Sequence, residues 1–204
     1  MTYKYIYKTP EKLSNMIINS DGEYLTGLWF EGSRNSIMRR CKWCNLNNPK
    51  YIEYHDKEWC KPNFEDKYLF EMLILESFQA GLSWITILHK REAFKEAFDQ
   101  FDVNKIAMYD DCKINELMNN PKIIRNSRKI KAAVKNAQIF IEIQKEYGSF
   151  SKYLWAYTND KIIYEKKENE TTSTLSDQIS KDLKKKGMSF VGSITIYSYL
   201  EAIG

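Results

Sequence analysis

Glu76 lies in Leu73-Ile-Leu-Glu76-Ser-Phe-Gln-Ala-Gly81-Leu-Ser-Trp84, a segment otherwise dominated by apolar residues. A helix begun near Asp66, a candidate N-cap, sets Leu69, Leu73 and Ala80 on one face, with Lys67 and Glu71 opposite. Glu76 falls on the apolar side. A carboxylate there needs hydrogen-bond donors or a cationic guest, because a buried charge left without its partner costs roughly 3–5 kcal/mol. Trp43, Tyr51, Tyr54, Trp59 and Trp84 surround it in sequence. Aromatic faces attract cations, and a carboxylate accepts from ring nitrogens or an exocyclic amine. These residue types together suggest a pocket for a flat, electron-poor or cationic ring. A helical core that uses aromatics only for bulk is the alternative.

Two further groups could do chemistry. Cys41 and Cys44 form a C-x2-C pair followed by His55 and Cys60, a possible zinc set by residue type but not one of the strong spacings. Cys112 and His89 stand apart from it. Between Pro121 and Ile141 the chain carries Lys122, Arg125, Arg128, Lys129, Lys131 and Lys135 and no acidic residue. Such a stretch is either a solvated helix face or a footprint for a polyanion.

The elements that must position these residues are mostly helical. Helices are expected over Asp66–Gln79, Ser83–Phe98, Val103–Met108, Lys113–Asn119, Ser127–Tyr147, Phe150–Thr158, Ser176–Lys186 and Ser193–Ile203, with residues 159–174 a polar excursion. Residues 1–37 read differently, as a three-stranded β-meander: Tyr3–Tyr7, Leu13–Ile18 and Tyr24–Phe30, with turns at Thr9–Lys12 and Ser20–Glu23 and a linker from Gly32 to Ser36. The expected organisation is a β-meander fragment over 1–37 and a helical domain over 38–204. The net charge of +4 and 43% hydrophobic content are ordinary for a soluble protein. No apolar run reaches the roughly 20 residues of a membrane helix. The N-terminal stretch lacks the apolar core of a signal peptide. A cytoplasmic monomer is the expectation, and four cysteines in a reducing compartment are not a disulfide framework.

Several motifs in order resemble the DNA-3-methyladenine glycosylase I family. They are Arg40-Cys41-Lys-Trp43, Tyr51-Ile-Glu-Tyr54-His55-Asp56-Lys-Glu58-Trp59, Leu75-Glu76-Ser-Phe-Gln79-Ala80-Gly81-Leu82-Ser83-Trp84, Lys90-Arg91-Glu92, Ile123-Ile124-Arg125-Asn126, and Lys184-Lys185-Lys186-Gly187-Met-Ser-Phe190-Val191-Gly192. The resemblance implies a mainly α, helix-hairpin-helix DNA glycosylase fold and excision of 3-methyladenine from alkylated double-stranded DNA, with no cofactor required for the chemistry. It implies that Glu76 and Tyr54 hydrogen-bond the flipped base, that Trp84 stacks on it, and that Trp43, Tyr51 and Trp59 line the same pocket. It places Lys122, Arg125, Arg128 and Lys129 in the DNA-holding hairpin, although the glycine usual at the position of Lys122 is missing.

The family's structural zinc would use Cys41 and His55 together with a C-terminal histidine and cysteine that have no counterpart before Gly204. Either that site is lost, or Cys44 and Cys60 rebuild it. The shortened tail also leaves room for a catalytically impaired, DNA-binding relative. Within the first 30 residues, Tyr7-Lys-Thr9-Pro10-Glu-Lys-Leu13 and Asp21-Gly22-Glu-Tyr-Leu25-Thr26-Gly27-Leu28-Trp29-Phe30 resemble the start of O6-alkylguanine-DNA alkyltransferases. That family's Pro-Cys-His acceptor motif does not occur in the chain, so no alkyl transfer is expected.

Overall fold

The computed structural model describes residues 3–7, 16–20, 25–30, 40–163 and 170–204. The expected turns at Thr9–Lys12 and Asp21-Gly22, the linker Gly32–Ser36 and residues 164–169 of the polar excursion lie outside the described residues. The chain divides into two compact units, Met1–Lys42 and Trp43–Gly204. In the first, β1 (Tyr3–Tyr7), β2 (Met16–Ser20) and β3 (Leu25–Phe30) pair antiparallel in the order β1-β2-β3. The ladder runs from Tyr3 opposite Ser20 to Tyr7 opposite Met16, with an irregularity at Asn19/Ser20 against β3.

The second unit is helical: α1 (Pro49–Lys57), α2 (Asp66–Gln79), α3 (Trp84–Ala97), α4 (Val103–Ala107), α5 (Asp111–Asn119), α6 (Ser127–Tyr147), α7 (Phe150–Trp155), α8 (Thr174–Lys185) and α9 (Ser193–Ile203). The boundaries follow local chemistry. Asn126 caps α6 by accepting from the Lys129 N–H, and Gly148 ends it at φ 86°, a conformation a Cβ disfavours. Ser173 and Ser176 form a reciprocal capping box at α8. Helix α1 was not anticipated. Its signal was present in Asn48-Pro49: the asparagine side chain accepts from the Lys50 and Tyr51 N–H groups, and proline occupies the first turn, where no N–H is needed.

Helix α2 departs from the amphipathic expectation. Every residue from Leu69 to Phe78 is buried, Glu71 included, because α3, α6, α7 and α9 all pack on it. The core around it is aromatic. Phe70 meets Phe140 edge-on at 5.0 Å, Phe140 stacks on Phe150 at 4.0 Å, and Phe78 abuts Phe94 at 4.8 Å. Asp66 also departs from its expected role. Glu65 holds the N-cap position without a side-chain bond, whereas the Asp66 carboxylate accepts from the Phe150 and Ser151 N–H groups and from Gln144 Nε2, at 2.7–2.9 Å. It thereby caps α7 and ties that helix to α2 and α6.

No helix among the described residues is long and apolar enough to cross a membrane. A cavity of about 250 Å³ opens beside the first turn of α2, lined by Asp66, Phe70, Phe101, Val103 and Phe140 among others. Its carboxylates are engaged in capping, Asp66 as above and Asp102 at α4. Asp66→Ala is expected to lower unfolding free energy by about 2–3 kcal/mol in urea denaturation, since it orphans two buried N–H groups at once.

Candidate active site

Glu76 lies in the last turn of α2, where the helix dipole is least favourable to a carboxylate. It is 4% exposed, and its Oε2 has no hydrogen-bond partner among the described residues. Burial, with a smaller contribution from the charge of Glu201 on α9, pushes its carboxyl up to about 8. Tyr54 of α1 is 2% exposed; burial first and the Glu76 carboxylate second raise its phenol far above the ordinary value. Trp84 opens α3, its ring 5.3 Å from that of Tyr54, and its Nε1 is likewise buried without a partner. Two unmet polar atoms and a phenol therefore share one aromatic corner.

Trp43 forms the outer tier. Its ring lies 5.4 Å from Tyr51, 6.4 Å from Tyr54, 5.3 Å from His55 and 5.1 Å from Trp59, and at 38% exposure it borders solvent. The structure thus brings Glu76, Tyr54, Trp84, Trp43, Tyr51 and Trp59 together from α1, α2, α3 and the segments flanking α1.

A buried ionic cluster holds those helices in place, and its role was not foreseen. Arg91 of α3 donates through Nε to Glu71 of α2 at 2.6 Å and through Nη1 to Glu58, just beyond α1, at 2.7 Å. Glu71, taken above as a surface marker, is therefore a buried partner, and Lys95 approaches it at 3.6 Å. One guanidinium links the elements that carry Tyr54, Glu76 and Trp84.

The basic residues separate. Lys122, Arg125 and Arg128 are exposed on or beside the turn joining α5 to α6. Lys122 is not among the residues with positive φ, so this turn does not require the missing glycine. Lys129 differs from these three. It is 7% exposed, and its Nζ donates to the carbonyls of Phe78 at 2.8 Å and Ala80 at 2.6 Å. Its side chain is committed to the protein interior.

Among the described residues no group of three or more His, Cys, Asp or Glu side chains could hold a metal ion. His55 Nδ1 instead lies 3.0 Å from Asp56 Oδ1, and its ring stacks on Trp59 at 5.5 Å.

Residues 43–204 match the methyladenine glycosylase family. The chain belongs to that family. It is 42% identical to a DNA-3-methyladenine glycosylase of Haemophilus influenzae over 82% of this chain and 92% of the relative. It is 39% identical to DNA-3-methyladenine glycosylase 1 of Escherichia coli over 82% and 91% of the two chains. The solved 3-methyladenine DNA glycosylase I of Staphylococcus aureus, described for its recognition of 3-methyladenine, superposes with a TM-score of 0.75 at 43% identity, covering 77% of this chain and 86% of that one. The all-α glycosylase fold of the second unit follows from these matches.

The raised carboxyl of Glu76 makes stability depend on pH. With its folded value near 8 and its unfolded value near 4.5, the native state binds the extra proton between them, so this group costs nothing at low pH and destabilises as pH rises through that window. At about 1.4 kcal/mol per unit the cost reaches a few kcal/mol. Glu76→Gln is expected to be more stable than wild type by that order in urea unfolding at pH 8.5 and nearly equal to it below the unfolded value, at about pH 4.

Proposed function

We propose that this protein hydrolyses the N-glycosidic bond of 3-methyladenine in alkylated double-stranded DNA, reading the extruded base with Glu76, Tyr54 and Trp84. The observation that carries this reading is the buried carboxylate oxygen left unmet beside an aromatic corner, since a cationic aromatic base supplies both the charge and the ring face missing there. Methylation at N3 places positive charge on adenine and weakens its bond to the sugar, so the base departs neutral as water attacks C1′. Extruding the base costs a few kcal/mol of unstacking. Glu76 and Tyr54 hydrogen-bond the base, Trp84 stacks on it, and Trp43, Tyr51 and Trp59 form the wall and rim. Glu76 acts through charge and hydrogen bonding, with no covalent step and no cofactor.

In this reading α5, its turn and α6 are the helix-hairpin-helix that holds DNA. Lys122, Arg125 and Arg128 approach phosphates, and the exposed first turn of α6 presents N–H groups to one. The protein works as a cytoplasmic monomer. Residues 1–37 are a fragment related to the start of alkyltransferases, a proposal that rests on the residue likeness given above.

Wild-type protein incubated with methylated duplex DNA is expected to release free 3-methyladenine, detected chromatographically. DNA binding without base release would favour the impaired, DNA-binding relative instead. Glu76→Gln is expected to lower the single-turnover rate on the order of 100-fold. Trp84→Ala is expected to weaken free 3-methyladenine by roughly 10-fold in fluorescence titration, in line with about 1–3 kcal/mol for a stacked base. Elemental analysis of protein purified under reducing conditions decides between a lost zinc site and one rebuilt with Cys44 and Cys60: less than about one equivalent of zinc removes the rebuilt site.

A further inference from the structure

Three segments meet at the Lys129 side chain. Its backbone N–H is held by the Asn126 cap at 3.1 Å, which places it one turn from the exposed N-terminus of α6. Its Nζ closes on the Phe78 and Ala80 carbonyls at 2.8 and 2.6 Å, the orphan acceptors where α2 ends. The same ammonium lies 5.9 Å from the centre of the Phe190 ring. Phe190 is itself pinned: its φ is 57°, and its carbonyl accepts from Ser77 Oγ at 3.2 Å, one residue beyond Glu76. Asn136, wholly buried on α6, exchanges two 2.9 Å bonds with the backbone of Ser189 and holds that loop against α6. From the neighbouring pocket helix, Lys90 of α3 reaches the Lys122 carbonyl in the hairpin turn at 2.8 Å.

We propose that Lys129 is a positioning residue, a strut that sets the distance and register between the DNA-holding hairpin and the last turn of α2 that carries Glu76. This rests on the functional reading above. A phosphate held at the start of α6 is tied through one side chain to the carbonyls two and four residues after the base-reading carboxylate. The hairpin fixes where the backbone lies, the last turn of α2 fixes where the base must arrive, and the strut makes those two positions one geometry. An ammonium suits the task because three donors on a compact head can satisfy two carbonyls at once. An apolar residue would leave both carbonyls orphaned and the hairpin free to shift. Displacement of reacting groups by about 1 Å can cost on the order of 100-fold in rate.

The strut and a phosphate contact make different predictions for Lys129→Met. A lysine that binds phosphate reduces the slope of log K against log salt by about one when removed. The strut leaves the salt slope for undamaged duplex unchanged. It also leaves the affinity for free 3-methyladenine, followed by tryptophan fluorescence, within about threefold, since the pocket wall is intact. The single-turnover excision rate falls by on the order of 10- to 100-fold. A slope reduced by about one, an excision rate equal to wild type, or a free-base affinity that falls in step with excision would each overturn the proposal. If the methionine variant does not fold, Lys129→Gln, whose shorter neutral amide cannot span both carbonyls, is read in the same three measurements against the same expectations. Failure of wild-type protein to release 3-methyladenine would instead sink the functional reading, so the two failures are distinguishable.

Discussion

Everything in the helical unit depends on the burial of α2. Because α3, α6, α7 and α9 all pack on it, the helix has almost no solvent face after its first turn, and each of its polar groups must find a partner within the protein. Asp66 spends its carboxylate on the first turn of α7. Glu71 is neutralised by Arg91, and Ser77 bonds back to Leu73 and across to Phe190. Lys129 takes the carbonyls at the C-terminal end. Against that background the one buried carboxylate oxygen without a partner among the described residues, on Glu76, is conspicuous. Trp84 Nε1, in the same aromatic corner, is unmet as well, and in the proposed reading both answer to a guest.

That unmet requirement explains how stability and function oppose one another here. A charged Glu76 destabilises the empty protein, because burial disfavours ionisation and the helix dipole adds to the penalty. In the proposed reading, a cationic base entering the aromatic corner supplies the missing counter-charge and the missing stacking face together. On that reading the energy withheld in the empty state becomes discrimination in the bound one, since an uncharged adenine offers the carboxylate no counter-charge.

The supports of the pocket have a common form. Arg91 joins α1, α2 and α3 through two carboxylates, and Lys129 joins α6, the end of α2 and the Phe190 loop through two carbonyls and a ring face. Both are buried cations whose partners come from different elements. Removing either leaves several acceptors orphaned, which makes such residues expensive to lose and effective at holding elements in a single arrangement.

Much of this was legible in the chain. Helix α2 over Asp66–Gln79, α6 over Ser127–Tyr147 and α9 over Ser193–Ile203 follow from apolar spacing and from local signals such as Asn126 and Gly148, because caps and turns are decided by adjacent residues. Motif resemblance pointed to the aromatic residues that the fold brings together, and apolar neighbours pointed to the conflict at Glu76. Residue chemistry could not reveal which polar side chain answers which. Asp66 reads as a cap for its own helix yet caps α7, Glu71 reads as surface yet meets Arg91, and Lys129 reads as a DNA contact yet bonds the end of α2. These pairings join positions 20 to 85 residues apart in the chain. Local sequence determined the helices and the charge that needs a partner. Only the tertiary structure decided which charges the protein answers itself, because burial and partner distance exist only once the helices are packed.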